Sequence, residues 1–340
     1  MVSLDVFRGL TIASMVMVNN QMGAGAYSQL RHASWNGWTF TDMVFPFFLW
    51  IAGVSMTMSR RGQSLGHAFQ RALVIFGIGL LLNGFPYYQL STLRIPGVLQ
   101  RIALCYLAAS VIYLYTSVRG RVLWTMGFMA AYWALMHSGG YEKDTNLGDV
   151  IDRFLLSGHL YTPTRDPEGL LSSLPAVATC LAGVLTGDLL RGALTTAQKA
   201  AWMMLAGNTM MLSGYVLNVW QPINKNLWTD SYSMLMGGLA LVVFGGCYWL
   251  VDGNGWRGSW TRPLVIFGMN AMAVYIFHGL LGRFCGLIQA GDVSLGRYLY
   301  RSLEPGFGAA NASLVYSLGH VLASYVFAVT LYRRGWFLKF

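Results

Sequence analysis

Long apolar segments alternate with short polar ones along almost the whole chain of 340 residues. A bilayer is crossed by a helix of about 20 residues, and windows of that length predict ten helical spans. The shortest of them, at residues 122–137, is the weakest candidate. The predicted spans run from Leu4 to Gln21, Phe40 to Met58, Phe69 to Phe85, Val98 to Thr116, Val122 to His137, Leu170 to Leu190, Ala200 to Trp220, Tyr232 to Val251, Pro263 to Leu281 and Ala310 to Tyr332.

The composition agrees with a chain that lies mostly in lipid. Hydrophobic residues make up 55% of the sequence and charged residues only 11%, whereas soluble domains are about a quarter charged. The 40 Gly and 12 Trp fit the same class, because Gly permits close helix packing in lipid and Trp collects at the headgroup level. We therefore predict an all-α fold, a polytopic membrane helix bundle of about ten transmembrane helices. It forms a single domain over residues 1–340, with outward loops at 22–39, 138–169 and 284–309.

Cysteine spacing and charge exclude two classes of partner. The four Cys show no CxxC spacing, which indicates free thiols and no metal site. The net charge is +10, but the basic residues are scattered between apolar segments and form no single patch. Membrane topology explains this charge better than nucleic-acid binding does.

The Lys and Arg bias predicts the orientation of the chain. With ten spans both termini lie on one side, and the side that is richer in Lys and Arg is cytoplasmic. With the N-terminus inside, that side collects 13 of the 23 basic residues but only three of the 13 acidic ones. These basic residues are Arg8, Arg60, Arg61, Arg71, Arg119, Arg121, Arg191, Lys199, Arg257, Arg262, Arg333, Arg334 and Lys339. We predict an N-in, C-in topology in which the loop of His32 faces outward.

The first segment has a second interpretation. Leu10 to Val18 has the length of a signal-peptide core, and Ala24 to Ala26 resembles a cleavage site. Asp5, in the region that should be basic, argues against it.

A polar stretch from Arg31 to Asp42 separates the first two spans. Histidine is the side chain that exchanges a proton near neutral pH, so His32 is a candidate catalytic base. The competing interpretation is a His that merely solvates an interfacial loop between Trp35 and Trp38. Asn19 and Asp42 end the flanking spans on the same side, where polar side chains are costly unless they are paired or face a cavity.

Further polar residues lie inside the spans. Gln100 and Arg101 lie in the fourth, and Asn270 and His278 lie eight residues apart in the ninth, on one helical face. Each is explained by hydrogen bonding between helices, but together with His320 they suggest a polar passage through the bundle.

Two other sets of polar residues leave their role open. The inner-face cations Arg8, Arg60 and Arg61 are phosphate ligands or simply follow the positive-inside rule. The acidic loop 138–169 is a lid, a binding surface or a solvated linker.

Several ordered blocks closely resemble the heparan-α-glucosaminide N-acetyltransferase family, which includes bacterial NagX-type proteins. They cover nearly the whole chain. The blocks are Ser3–Gly9, Met17–Asn19, His32–Gly37, Asp42–Phe47, Arg94–Arg101, Asp166–Gly169, Pro222–Trp228 and Gly268–Asn270, with His278 downstream.

The resemblance implies a membrane acetyltransferase that takes acetyl from cytosolic acetyl-CoA to the amine of a glucosamine-type sugar on the periplasmic or lumenal side. His32 matches the family's catalytic His, and Asn19 matches an Asn beside the acetyl group. Asp42 or Asp5 is expected to hold His32 or a cationic partner. Asp5 is the weaker choice, because about 21 Å of helix separate it from Asn19, and it is better placed to orient Arg8 near the CoA entrance. Acetyl-CoA contacts are expected from a second set of residues. These are Arg8, Asp5, Gln100, Arg101, Asn270 and His278.

The resemblance also implies a bacterial inner-membrane protein and a homodimer. The human lysosomal member has an N-terminal lumenal extension and an extra first helix that have no counterpart in this sequence, so the acceptor sugar stays open.

Other functions fit the same residues. Ten spans with buried polar groups also suit an amino-sugar transporter, with His278 or His320 relaying protons. An O-acetyltransferase acting on a surface polysaccharide is a third possibility. Within the enzyme interpretation, a transient acetyl-His32 and direct transfer both remain open.

Overall fold

The computed structural model of the chain describes residues 1–23, 25–59 and 64–338, and four expected features fall outside them: Ala24, Arg60, Arg61 and Lys339. The described residues form twelve α-helices and one short hairpin. The helices are α1 (Val2–Asn19), α2 (Phe40–Met58), α3 (Leu65–Gly84), α4 (Val98–Tyr115), α5 (Val118–Gly139), α6 (Leu147–Leu156), α7 (Ser173–Arg191), α8 (Thr196–Leu217), α9 (Asp230–Tyr248), α10 (Thr261–Met269), α11 (Ala271–Leu287) and α12 (Leu295–Arg333), and the hairpin pairs β1 (Gln289–Ala290) with β2 (Val293–Ser294).

All ten predicted spans fall on helices, so the all-α membrane fold is confirmed. Among the described residues, seven helical segments are long and apolar enough to cross a membrane: α1, α2, α3, α4, α7, α9 with its π-helical extension, and α12. The pair α10 and α11 makes an eighth if it counts as one span. The chain is therefore an integral membrane protein with several spans.

Helices α5 and α8 are less apolar than these segments and are not counted as spans. The described part of the chain therefore supports seven or eight spans and not ten. Both have 22 residues, which is long enough. Their hydropathy is lowered by residues that are not aliphatic, such as Arg119 and Arg121 in α5 and Asn208 in α8. The span count matters because eight spans keep both termini on one side, as ten would, whereas seven place them on opposite sides.

The predicted ninth span is broken in two. Helix α10 ends at Met269, α11 begins at Ala271, and their axes are bent by 82°. Asn270 stands at the break with φ −115° and ψ 22°. The expectation that Asn270 and His278 share a face of one continuous helix is therefore wrong, because Asn270 precedes the first turn of the helix that carries His278.

Two compact units divide the described chain. The first comprises the described residues of 1–33, 39–44 and 250–338. Within it α1 packs along α10 at very short range, since a Cβ at Gly9 would lie 1.8 Å from the Leu264 carbonyl oxygen and one at Gly268 would lie 2.0 Å from that of Asp5. Only glycine permits this approach.

The second unit comprises residues 34–38 and the described part of 45–249. Its helices pair as α3 with α4 and α8 with α9, while α7 packs against α4, α5 and α9. Gly53 of α2 and Gly183 of α7 face each other: a Cβ at Gly53 would lie 2.0 Å from the Cys180 oxygen, and one at Gly183 would lie 2.0 Å from the Trp50 oxygen. These two helices meet backbone to backbone.

The three predicted outward loops contain ordered elements. Residues 22–39 include a 3₁₀ turn at Ser28–Leu30. Residues 138–169 include α6, whose first turn is capped by the Asn146 side chain. Residues 284–309 hold the end of α11, the hairpin and the first part of α12, which is interrupted at Gly308, where φ is 74°.

Candidate active site

His32 and Asp42 form a hydrogen-bonded pair in the first unit. His32 Nδ1 lies 2.6 Å from Asp42 Oδ1, and the His32 side chain is 53% exposed while that of Asp42 is 1% exposed. A carboxylate acceptor selects the tautomer in which Nδ1 carries the proton, so the ring lone pair lies on Nε2. The pair therefore presents an oriented imidazole backed by a buried acid.

The position of Asp42 follows from how α2 begins. Asp42 Oδ2 accepts hydrogen bonds from the backbone N–H of Thr39 at 3.0 Å and of Ala33 at 3.0 Å, and lies 3.1 Å from Thr39 Oγ1. An acid in the first helical turn is stabilised there by the unpaired amides and the helix dipole. The same carboxyl group thus caps α2 with one oxygen and holds His32 with the other.

Asn19 ends α1 and is exposed. Within the described part of the chain its side chain makes no hydrogen bond, while the neighbouring Asn20 donates to the Val16 carbonyl oxygen of its own helix at 2.7 Å. Asn19 belongs to the same unit as His32 and Asp42. Its amide N–H groups are available to a bound substrate.

Asp5 and Arg8 form an ion pair one turn apart on α1. Arg8 Nη1 lies 3.0 Å from Asp5 Oδ1 and 3.4 Å from the Gly268 carbonyl oxygen. Both side chains are partly exposed, at 23% for Arg8 and 30% for Asp5. Asp5 therefore orients Arg8, while Asp42 is the acid that pairs with His32.

Asn270 and His278 are buried near the bend of α10 and α11. The Asn270 Nδ2 group reaches the Ile266 carbonyl oxygen at 3.4 Å, but its Oδ1 has no hydrogen-bond partner among the described residues. His278 lies edge-on to Tyr275, with ring centroids 5.6 Å apart, and interacts electrostatically with His320. Burying a hydrogen-bond acceptor without a donor costs free energy. The Asn270 side chain is therefore a candidate to contact a ligand.

Gln100 and Arg101 lie in the second unit, apart from the other candidates. Arg101 is 1% exposed, donates from Nη2 to the Gly169 oxygen at 2.8 Å and to Ser172, and stacks over Trp228 at 5.2 Å. Gln100 is 3% exposed and fills the space beside Gly79 and Gly97. The structure thus brings seven of the nine candidates into one unit and these two into the other.

Sequence reasoning missed an ion-pair cluster that organises the loop 138–169. Arg94 holds Asp166 through Nε at 2.8 Å and Nη2 at 2.6 Å, and reaches Glu168 at 2.5 Å. Burial opposes the charge of Arg94, but its hydrogen bond to Asp166 and the charge of Glu168 raise the pKa of the guanidinium. Arg94 and the Asp166–Gly169 block both lie in segments that resemble the family. This was the one signal in the sequence that they are paired.

Asp152 of α6 adds a buried acid to this region. Its Oδ1 accepts from the Leu170 N–H at 2.9 Å, and Gly169 lies so close that a Cβ there would meet Oδ2 at 1.8 Å. Burial raises the pKa of Asp152 to about 6, although the hydrogen bond from Leu170 acts in the opposite direction. This carboxyl group changes charge close to neutral pH.

Comparison with known proteins identifies relatives that cover most of the chain. A family profile described as heparan-alpha-glucosaminide N-acetyltransferase, catalytic, matches residues 1–216, which include His32, Asp42 and Asn19. The mouse heparan-alpha-glucosaminide N-acetyltransferase is 30% identical over 355 residues, covering 82% of this chain and 53% of that protein. The human protein of the same name is 30% identical over 354 residues, covering 81% of this chain and 52% of that protein. The chain spans about half the length of these curated relatives.

Proposed function

Because the chain belongs to the heparan-alpha-glucosaminide N-acetyltransferase family, we propose that it is a membrane-embedded acetyltransferase that moves acetyl from acetyl-CoA to the amine of a glucosamine-type sugar. The observation that carries this proposal is the hydrogen bond between His32 and Asp42 at 2.6 Å. A general base oriented by a buried acid is what acyl transfer to an amine requires.

In the proposed reaction His32 accepts the proton that the amine loses as its nitrogen attacks the thioester carbon. The C–N bond forms, the C–S bond breaks, and CoA leaves as a thiolate that takes up the proton from His32. Asp42 stabilises the imidazolium while it exists. Because Asp42 is 1% exposed, its charge acts on the imidazole with little screening by water.

Asn19 is assigned to the carbonyl oxygen of the thioester. Negative charge grows on that oxygen as the amine attacks, and an amide N–H aimed at it lowers the barrier. The support for this role is that the Asn19 amide is exposed and has no hydrogen bond within the described residues, unlike that of Asn20.

The first unit also contains groups that suit the donor substrate. The buried Oδ1 of Asn270, which has no donor among the described residues, matches an amide N–H of the pantetheine arm. Arg8 supplies a partly exposed guanidinium beside Asp5, and such a group pairs well with phosphate. We assign Asn270 and Arg8 to acetyl-CoA on this basis.

With eight spans, as with ten, both termini share one side, so Arg8, Arg333 and Arg334 lie together there. This basic bias supports delivery of acetyl-CoA from the cytosol and of the sugar from the opposite side, toward which we propose that the His32 loop faces. The proposed location is a bacterial inner membrane with the His32 loop toward the periplasm. Family membership also suggests a homodimer, and light scattering of the detergent-solubilised protein measures this directly.

The decisive assay uses purified protein with acetyl-CoA and a panel of glucosamine-terminated sugars, glucose and surface polysaccharides. N-acetylation by the wild type, lost in His32→Ala and kept in His137→Ala, supports the proposal. His137 is an exposed His whose ring lies 5.4 Å from that of Trp133 at a tilt of 33°. The proposal fails if both variants are equally active, or if only hydroxyl groups are acetylated.

The same protein distinguishes the two routes of transfer. Rapid mixing with radiolabelled acetyl-CoA alone leaves label on the wild type, and none on His32→Ala, if an acetyl-His32 forms. A wild type that retains no label transfers the acetyl group directly.

A further inference from the structure

Helix α6 of the second unit turns its acids inward and apolar side chains outward. Asp149 and Asp152 are 4% and 2% exposed, whereas Phe154 is 85% exposed and Leu155 is 58% exposed. Val150, one turn before Phe154, is also exposed and lies on the same side of the helix. A helix on a surface that faces water has the opposite pattern, with polar residues outside. The exposed side of α6 is therefore suited to surroundings other than water.

Hydrogen bonds to the buried acids hold α6 in this orientation. Asp149 Oδ2 accepts from the Asp144 N–H at 2.9 Å, and Asp152 Oδ1 accepts from the Leu170 N–H at 2.9 Å. Ile151 packs against the apolar cluster beneath the helix. Rotating α6 to cover its exposed side chains would break these bonds and carry two acids to the surface, so the outward apolar side is a fixed feature of the fold.

The segment that follows α6 is joined to the segment that follows α3. The Ile95 N–H donates to the His159 carbonyl oxygen at 3.0 Å, and His159 Nδ1 lies 2.7 Å from the Leu93 carbonyl oxygen. The Arg94 guanidinium lies over the Tyr161 ring at 4.8 Å. The two segments thus adjoin, and both carry exposed apolar side chains. We call these side chains the α6 patch: Tyr87, Leu90, Phe154, Leu155 and Tyr161.

The α6 patch begins where a membrane span ends. Helix α3 is apolar enough to cross a membrane and ends at Gly84. The Tyr88 N–H donates to the Gly84 oxygen at 2.8 Å, and a Cβ at Gly84 would lie 2.7 Å from the Tyr88 ring. Along α3 itself Leu73 and Leu81 are exposed, and Leu81 lies in the last turn. Since a span ends at the membrane surface, where tyrosines are enriched, the α6 patch continues the lipid-facing surface of α3.

We propose that the α6 patch seats helix α6 in the membrane–water interface, with the lipid headgroups and the first acyl carbons as its partner. Interfacial helices bury their apolar side about 5–10 Å into this layer. Tyr87 and Tyr161 place their rings there and keep their hydroxyl groups at the wet side. Continuity with α3 favours lipid over a soluble protein or a second copy of the chain. The loop 138–169 is then a membrane-binding surface rather than a solvated linker.

The test measures what surrounds residue 154 in the full chain, reconstituted in phosphatidylcholine nanodiscs without any substrate. Cys247→Ser and Cys285→Ser remove the two partly exposed thiols, and the two remaining cysteines are 0% exposed. This parent protein shows how much label attaches without an added Cys. Phe154→Cys and Leu90→Cys are then labelled with a nitroxide. Its collision rates are measured with oxygen, which concentrates in lipid, and with a water-soluble nickel chelate.

The matched control is Lys143→Cys, at an exposed position of the same loop where the native charge would be costly in lipid. The ratio of oxygen to nickel collisions should be at least about fivefold higher at residues 154 and 90 than at residue 143, because an interfacial helix buries its apolar side. Leu73→Cys on α3 gives the ratio for a position in the hydrocarbon. Thermal unfolding establishes that each labelled variant is folded.

Two results overturn the inference. A ratio at residue 154 equal to that at residue 143 places the exposed side of α6 in water, whatever residue 90 shows. Low collision rates with both reagents at residue 154 mean that protein covers the helix, which assigns the α6 patch to a second copy of the chain and not to lipid.

Discussion

His32 Nδ1 lies 2.6 Å from Asp42 Oδ1, and the second oxygen of Asp42 accepts backbone hydrogen bonds from Ala33 and Thr39. A carboxylate that accepts several donors is held rigidly. The imidazole that it contacts is therefore restricted to one tautomer and one plane before any substrate binds.

The first prediction concerns this acid. Asp42→Asn should lower kcat about 10²- to 10⁴-fold, because an amide neither fixes the tautomer of His32 nor stabilises the imidazolium. It should also cost roughly 1 kcal/mol of stability by weakening the start of α2. Steady-state kinetics and thermal unfolding in detergent measure the two effects separately, and a kcat within threefold of the wild type would contradict the proposed role.

The second prediction compares two adjacent asparagines. Asn19→Ala should lower kcat by about 10²-fold through loss of an oxyanion donor, with little change in stability because its side chain is exposed and makes no hydrogen bond within the described residues. Asn20→Ala is the control, since Asn20 bonds only to its own helix in the contacts described above. Equal kinetic effects in the two variants would rule out a specific role for Asn19.

The third prediction follows from the raised pKa of Asp152, about 6 in the folded protein against an ordinary value of 3.8. Between these two pH values the folded state binds a proton that the unfolded state does not, so stability falls as the pH rises from about 4 to 6. Asp152→Asn still accepts from the Leu170 N–H but does not titrate. The melting temperature of the variant should therefore decline less over this window, and parallel profiles for the two proteins would refute the assignment.

The fourth prediction tests the cluster around Arg94. Arg94→Met leaves the side chain of Asp166, which is 0% exposed, as a buried acid without its cation, and should cost about 3 kcal/mol or more. Arg257→Met removes a pair with Asp252 in which the arginine is 52% exposed, and should cost less than about 1 kcal/mol. Denaturation in mixed micelles measures the loss of stability in each variant. Similar losses would show that leaving Asp166 buried without its cation does not destabilise the protein.

The fifth prediction concerns the contact between α2 and α7. Gly53→Ala and Gly183→Ala each place a methyl group about 2.0 Å from a carbonyl oxygen of the facing helix, so each should destabilise the protein by roughly 1 to 3 kcal/mol or more. Gly77→Ala is the control, because no atom lies within 4 Å of its added Cβ. A Gly53→Ala protein as stable as the Gly77→Ala protein would show that the two helices separate freely.

The hydropathy of the sequence was sufficient to locate most of the helices. The predicted span Phe40 to Met58 coincides with α2, because a long apolar run in lipid has little choice except a helix. The break at Asn270 could not be predicted in the same way. Pro263 lies in the first turn of α10 and not at the break, so no Pro at Asn270 signals the bend of 82°.

The candidate site was only partly predictable. The sequence pattern placed His32 and Asp42 near the same edge, but residues 33–39, which connect His32 to the start of α2, form an irregular loop whose course no periodicity describes.

Asp42 ties together both ends of the short loop of residues 34–38, since its donors Ala33 and Thr39 flank that loop. The start of α2 and the orientation of His32 thus depend on one carboxylate. Local opening at the start of α2 would therefore release the imidazole as well. Activity should then disappear on mild warming or dilute denaturant while the rest of the helices remain folded, so inactivation would report a local event and not global unfolding.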